Sequence, residues 1–170
     1  MREYLKEELE SAFSDAQVSI PEKERRIVTT KKETVLAILG FLKDKGYGHL
    51  VLVSCVDWLE EGEFELVYIL SAYMAKDNEY TDKEKTNIIL KTRISRKDPE
   101  FLTVIPIFQN AEPYERELHE LYGINFKGHP RLTPLFLERE YTIPPFRKDF
   151  DTRKYVEEVF DKIPSVEEKK

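Results

Sequence analysis

Cysteine is nearly missing from this 170-residue chain, with Cys55 alone to represent it. One thiol forms no internal disulfide, and one thiolate holds neither an iron–sulfur cluster nor a structural zinc. Set inside the apolar run LVLVSCVDW, Cys55 reads as a small core residue on a buried strand. Glycine is scarce as well, and Gly40, Gly46, Gly48 and Gly62 match neither nucleotide-binding fingerprint. No apolar run approaches the roughly 18–20 residues that cross a bilayer, and the opening MREYLKEELE lacks the pattern of a signal peptide. A basic excess is missing too. The net charge is −6 with both signs mixed along the chain, which disfavours nucleic acid as a partner. Together these absences read as a soluble, intracellular protein, which could still belong to a membrane assembly through partners.

What is present suffices for one domain with a single core. Apolar residues make up 41% of the chain, enough to exclude wholesale disorder. Charged residues reach 35%, and with Gln17 and Gln109 the only glutamines the composition leans towards a thermophile. Leu5, Leu9 and Phe13 fall at helical spacing and predict an amphipathic helix over residues 2–13. AQVSI and RRIVTT are short β-like pieces broken at Pro21. Thr30 and Glu33 form a capping-box pattern ahead of a helix running to about Lys45, with Val35, Leu36, Ile38, Leu39 and Leu42 as its buried side. HLVLVSCVDW, FELVYILSAYM and TNIILKTRIS then read as strands, the first two joined by a turn at Gly62 and the last two by the polar stretch 75–85. The predicted fold is α+β, a two-layer α/β sandwich. Its core is a central antiparallel meander of three to four strands with flanking helices, and an extended C-terminal arm follows.

EFLTVIPIFQNAEP is ambiguous between helix and extended chain. The segment YERELHELYGINFKGHP, residues 114–130, is the most crowded with ionisable groups. A helix over 112–122 puts Tyr114, Leu118, Leu121 and Tyr122 on one apolar stripe and leaves Glu115, Arg116, Glu117, His119 and Glu120 on the rest. Glu112–Arg116 and Arg116–Glu120 are i,i+4 pairs, worth about 0.2–0.5 kcal/mol each when exposed. Glu115 and Glu117 diverge by about 200° on the helix and cannot flank one substrate atom. Glu115 and His119 share a side, but a metal would need a further ligand, for which His129 is the nearest histidine, and no H-E-x-x-H pattern occurs. Gly123 ends the helix, Gly128 and Pro130 redirect the chain, Ile124 and Phe126 anchor the turn, and His129 reads as a hydrogen-bonded corner. Beyond it, Pro130, Pro134, Pro144 and Pro145 break regular structure while large apolar residues persist. The division is therefore 1–128 as a globular domain and 129–170 as a Pro-rich docking arm ending in a short helix, KYVEEVFDKI. The basic stretch FRKDF within the arm could pair with a partner's acidic groups.

These motifs resemble the thirty-kilodalton (C) subunit family of respiratory complex I. Glu115, Arg116, Glu117, Glu120, Leu121, Tyr122, Gly123, Ile124, Phe126, Gly128, His129 and Pro130 match its signature. Pro145, Arg147, Lys148, Asp149 and Phe150 match its second motif, and SCVDW with FELVYIL is similar to its central hairpin. Two positions depart: Pro113 stands at the family's usual Trp and Pro144 at its usual His. The shortness of the chain resembles the versions in membrane-bound [NiFe] hydrogenases and related sulfane-reducing complexes.

The resemblance implies a cofactor-free scaffold subunit, peripheral on the cytoplasmic side of the membrane. It would dock on a large catalytic subunit and a small iron–sulfur subunit, with the nickel–iron centre and iron–sulfur clusters in those neighbours. The implied docking residues are the signature positions Glu115, Arg116, Glu117, Tyr122, Gly123, Phe126, Gly128, His129 and Pro130, with Leu135, Phe136, Arg147, Lys148 and Asp149 from the arm. Leu135, Phe136, Tyr141 and Phe146 would be buried on a partner, with Glu115, Arg116 and Arg147 setting register by charged hydrogen bonds. The rival readings are a subunit of NADH:quinone oxidoreductase proper, a stand-alone metal-dependent enzyme using Glu115, His119 and His129, and a free-standing regulatory binding domain.

Overall fold

The computed structural model describes residues 2–22, 25–72, 87–137 and 141–159. The meander forms as its apolar runs predict. Strands β3 (His49–Trp58), β4 (Glu63–Ser71) and β5 (Asn87–Ser95) pair antiparallel in order. The stretch 75–85 that joins the last two lies outside the described residues. On β4, Phe64, Leu66, Tyr68 and Leu70 alternate inwards and are fully buried.

The sheet extends beyond the meander. β1 (Gln17–Glu22) and β2 (Arg25–Thr29) form a hairpin, and β2 joins β5 in parallel, so five strands run in the order β1-β2-β5-β4-β3. Because β3 and β5 are both antiparallel to β4, β2 also runs parallel to β3. The connection through helix α2 (Val35–Asp44) is therefore a crossover, with β4 and β5 filling the gap it leaves. Val35, Ile38, Leu39 and Leu42 of α2 join the core with Leu5 and Leu9 of α1 (Arg2–Ala12), so the helices share one face of the sheet and the architecture has two layers.

The capping box does not form. Helix α2 starts a turn later than Thr30, because the Thr30 hydroxyl is taken by Asp15 at 3.0 Å and Thr34 at 2.6 Å. Asp15 also accepts from the Thr34 hydroxyl and the Lys31 amide, and these bonds, Thr34 first, hold its carboxyl below the ordinary range.

The ambiguous stretch after residue 99 resolves into two kinds of structure. β6 (Glu100–Leu102) pairs in parallel with β7 (Asn125–Lys127), placing Phe101 opposite Phe126, and a 3-10 turn at Gln109–Ala111 leads into α3 (Glu112–Tyr122). The predicted terminal helix appears as α4 (Thr152–Val159), and the rest of that piece lies outside the described residues.

Candidate docking surface

Helix α3 organises this surface, and its buried face differs from the expected one. Glu115 is fully buried beside Leu118 and Leu121, so it belongs to the apolar stripe and not to an outer docking face. The reason is its spacing: it lies four residues after buried Ala111 and three before Leu118. Its two carboxyl oxygens accept the Thr103 hydroxyl at 2.6 Å and the Val104 amide at 2.7 Å, fixing the chain that leaves β6. Burial pushes the Glu115 carboxyl up to about 7, with the two hydrogen bonds acting in the opposite sense. His119 contacts the Ile124 carbonyl through Nδ1 at 2.9 Å. Among the described residues, no three His, Cys, Asp or Glu side chains converge as a metal-binding group.

The arm lies along α3 of its own chain. Arg116 donates to the carbonyls of Thr133 at 3.0 Å and Pro134 at 2.9 Å, and pairs with Glu112 at 3.4 Å. The second expected helix pair, Arg116–Glu120, gives way to a stronger use of Glu120. Its carboxylate accepts the backbone amides of Leu135, Phe136 and Leu137. His129 is the hydrogen-bonded corner expected of it. Its Nδ1 accepts from the Arg131 amide at 3.0 Å, so Nε2 carries the proton donated to the Glu112 carbonyl at 3.3 Å.

The second motif also turns inward. Phe146 donates its amide to the Leu121 carbonyl at 3.0 Å, and Arg147 Nε donates to the Tyr122 carbonyl at 2.7 Å, closing the C-terminal end of α3. Gly123 sits there with φ of 74°, and a Cβ at that position would meet Arg147 Nη2 at 2.9 Å and Pro144 Cγ at 3.0 Å.

Asp57 accepts from Arg96 through Nε at 2.8 Å and Nη2 at 3.2 Å, and from the Lys148 amide at 2.8 Å. The other edge of the Arg96 guanidinium grips Asp149, whose carboxyl is held below the ordinary range by that bond. Arg96 and Arg147 both lie over the buried Phe64 ring, at 5.6 and 5.2 Å. FRKDF therefore finds its partners inside the chain, and Arg147 and Asp149 are latch residues of the arm. Tyr141 likewise packs on Phe150 and Tyr155.

Residues 28–156 match the family described as the respiratory-chain NADH dehydrogenase 30 Kd subunit. The chain belongs to this 30-kDa subunit family. The C subunit of the F(420)H(2) dehydrogenase of Methanosarcina mazei is 35% identical over 142 residues, which cover 82% of this chain and 83% of that protein. The C subunit of the NADH-quinone oxidoreductase of Rhizobium johnstonii is 30% identical over 139 residues, covering 79% of this chain and 64% of that protein. A chain of the membrane-bound sulfane sulfur reductase, an archaeal respiratory membrane complex, superposes with a TM-score of 0.78 at 27% identity, over 99% of this chain and 98% of that one. The trypsin-resistant fragment of Nqo5 shares the fold, with a TM-score of 0.65 at 23% identity over 78% of this chain and all of the fragment.

Within the 30-kDa family signature, then, the side chains fall into two groups. Glu115, Arg116, Gly123, Phe126, His129, Arg147 and Asp149 are used internally, Phe126 as a core residue and Gly128 as a left-handed turn with φ of 84°. Half-buried Glu117 has no hydrogen bond or ion pair among the described residues, while Pro130 and Lys148 are exposed. Phe136 and Phe146 remain 67% and 58% exposed. Leu135 is half-buried, as is Tyr122, packed between the rings of Phe64 and Phe146. Sequence reasoning missed Asp57, Arg96 and Thr103 as the arm's and helix's anchors. The available signal was an acid, Asp57, inside an apolar strand, since a buried charge requires a partner. Cys55 sits in the core as expected, its thiol pushed up to about 12 by burial. Among the described residues, no helix is long and apolar enough to cross a membrane.

Proposed function

We propose that this chain is an accessory subunit of a membrane-bound respiratory oxidoreductase, serving as a preassembled docking block and not as a redox centre. The observation that carries this reading is the superposition over nearly its whole length on a chain of the sulfane sulfur reductase complex. The block would present Glu117, Tyr122, Pro130, Phe136, Phe146 and Lys148 to a large catalytic subunit and a small iron–sulfur subunit. The nickel–iron centre or other electron-accepting site, and the iron–sulfur clusters, would lie in those neighbours. Attachment would be peripheral, on the cytoplasmic side. Because the arm folds onto α3 within the chain, docking joins two ordered surfaces and avoids the entropy of ordering a free tail. The identity with the Rhizobium protein supports a second reading, the corresponding subunit of an NADH-quinone oxidoreductase.

The test is an affinity tag on this chain, expressed from its native locus, with detergent extraction of membranes. The expected result is one complex containing the chain, a large subunit and an iron–sulfur subunit, with metal confined to the partners. Recovery of the chain as a soluble monomer, with no membrane-derived partner, would overturn the proposal. Assaying the complex with sulfane sulfur, protons and quinone separates the two readings.

A further inference from the structure

Arg26 continues a row of residues that is otherwise wholly apolar. Leu50, Leu70, Ile88 and Arg26 are register partners across β3, β4, β5 and β2, all on the helix-covered face. Arg26 is only 5% exposed, yet among the described residues its Nε and Nη1 have no hydrogen-bond partner. A guanidinium cannot shed its proton to escape burial, and an isolated buried charge is destabilising by several kcal/mol. Arg96 shows how this chain otherwise treats such a group: the side edge (Nε, Nη2) grips Asp57 and the end (Nη1, Nη2) grips Asp149. In Arg26 each of those edges keeps an unanswered donor.

The adjoining strand is irregular beside it. The register of β1 against β2 passes from Ser19↔Ile27 to Glu22↔Arg25, so both Ile20 and Pro21 stand opposite Arg26 in a bulge. Ile20 is turned outward and exposed, and Pro21 has no amide to donate. Tyr47 lies near enough for the Arg26 charge to act on its phenol, which burial pushes upward.

We propose that Arg26 forms the floor of a binding site at the β1 bulge for a small oxyanion, a carboxylate or phosphate group, with the Tyr47 phenol as a second donor. Two oxygens on one centre match either edge of a guanidinium, and the phenol would supply a further donor.

The experiment is thermal unfolding of the full chain at fixed ionic strength, exchanging chloride for inorganic phosphate or for acetate up to 50 mM. The expected rise in Tm is about 3 °C or more in one or both anions. Arg26→Met should abolish that rise, Arg26→Lys should retain part of it, and Tyr47→Phe should reduce it. A response to phosphate alone assigns a phosphate group, and an equal response to acetate assigns a carboxylate. No rise in the wild-type chain overturns the site, as does a rise that survives in Arg26→Lys and Tyr47→Phe unchanged. If Arg26→Met does not fold, those two variants decide.

Discussion

Arg96 and Arg26 lie at opposite ends of β5, one just past its last residue and the other in register with Ile88 near its start. Both are charged groups drawn into the protein, and they differ only in what answers them. Around Arg96 two carboxylates, a backbone amide and an aromatic ring close a seam that ties the arm to the sheet. Around Arg26 the neighbours in register are apolar and the adjoining strand bulges away. The same residue type therefore marks a structural joint in one place and an open binding position in the other. Burial alone does not separate the two roles; the state of the acceptors does.

The sharpest way to test the contrast is to take from Arg96 its buried acceptor. Asp57→Ala removes the acceptor for Arg96 Nε and for the Lys148 amide in a side chain that is 2% exposed. The expected loss is about 2–4 kcal/mol in urea unfolding, the scale for removing one partner of a buried hydrogen-bonded charge pair, with Asp149 still holding the other edge of Arg96. Faster hydrogen exchange at residues 146–150 should accompany it. A loss below about 1 kcal/mol, with exchange unchanged, would show that the seam does not hold the arm.

Glu115 sharpens the comparison from the acidic side. Its folded carboxyl titrates at about 7 against an ordinary value of 4.5, raised by burial. Between those values the folded chain holds the extra proton, so this group's contribution to stability is complete below about pH 4.5 and is lost as pH rises through 7. Wild-type stability should fall by about 3 kcal/mol from pH 4.5 to 7.5 on this account. Glu115→Gln should flatten that slope, as urea titrations at several pH values would reveal. An unchanged slope would assign the dependence to other groups.

The parts of this fold legible in the sequence are those written in short-range pattern. The existence of β3, β4 and β5, the buried side of α2 and the corner built by Gly123, Gly128 and His129 all follow from local pattern. Pairings between distant residues do not. Asp57 meets Lys148 across 91 positions, and β2 joins β5 across the meander, neither of which a local window contains. Glu115 was misplaced because a carboxylate normally faces water, and the donors that permit its burial, Thr103 and Val104, belong to another segment. FRKDF was assigned outward for the same reason, since its partners Arg96 and the Tyr122 carbonyl lie elsewhere in the sequence.

A smaller effect is expected at the joint between α3 and the arm. Gly123→Ala places a Cβ at φ of 74° against Arg147 Nη2 and Pro144. The left-handed backbone alone is destabilising by roughly 1–2 kcal/mol for a non-glycine residue. Arg147 can swing aside, but only by loosening its bond to the Tyr122 carbonyl. Denaturant unfolding should therefore show the loss, and faster exchange of the Phe146 amide should report the loosened arm. A change within about 0.5 kcal/mol, the range for ordinary surface substitutions, would mean that the joint relaxes freely.

The smallest effect on stability should come with the clearest effect on assembly. Of the acids on α3, Glu112 and Glu120 hold the chain beyond the corner and Glu115 holds the loop before the helix. Glu117 has no such duty among the described residues. Glu117→Gln should change unfolding by less than about 0.5 kcal/mol, because no internal bond is broken. On the docking reading its carboxylate is left for a partner's cation. The same substitution should then release the chain from its complex at lower salt than wild type, with the Tm of the free chain unchanged. If Glu117→Gln instead destabilises the free chain and leaves assembly intact, the division between inward and outward members of the signature is wrong at this position. That pair of readouts separates a docking residue from a structural one, which neither measurement achieves alone.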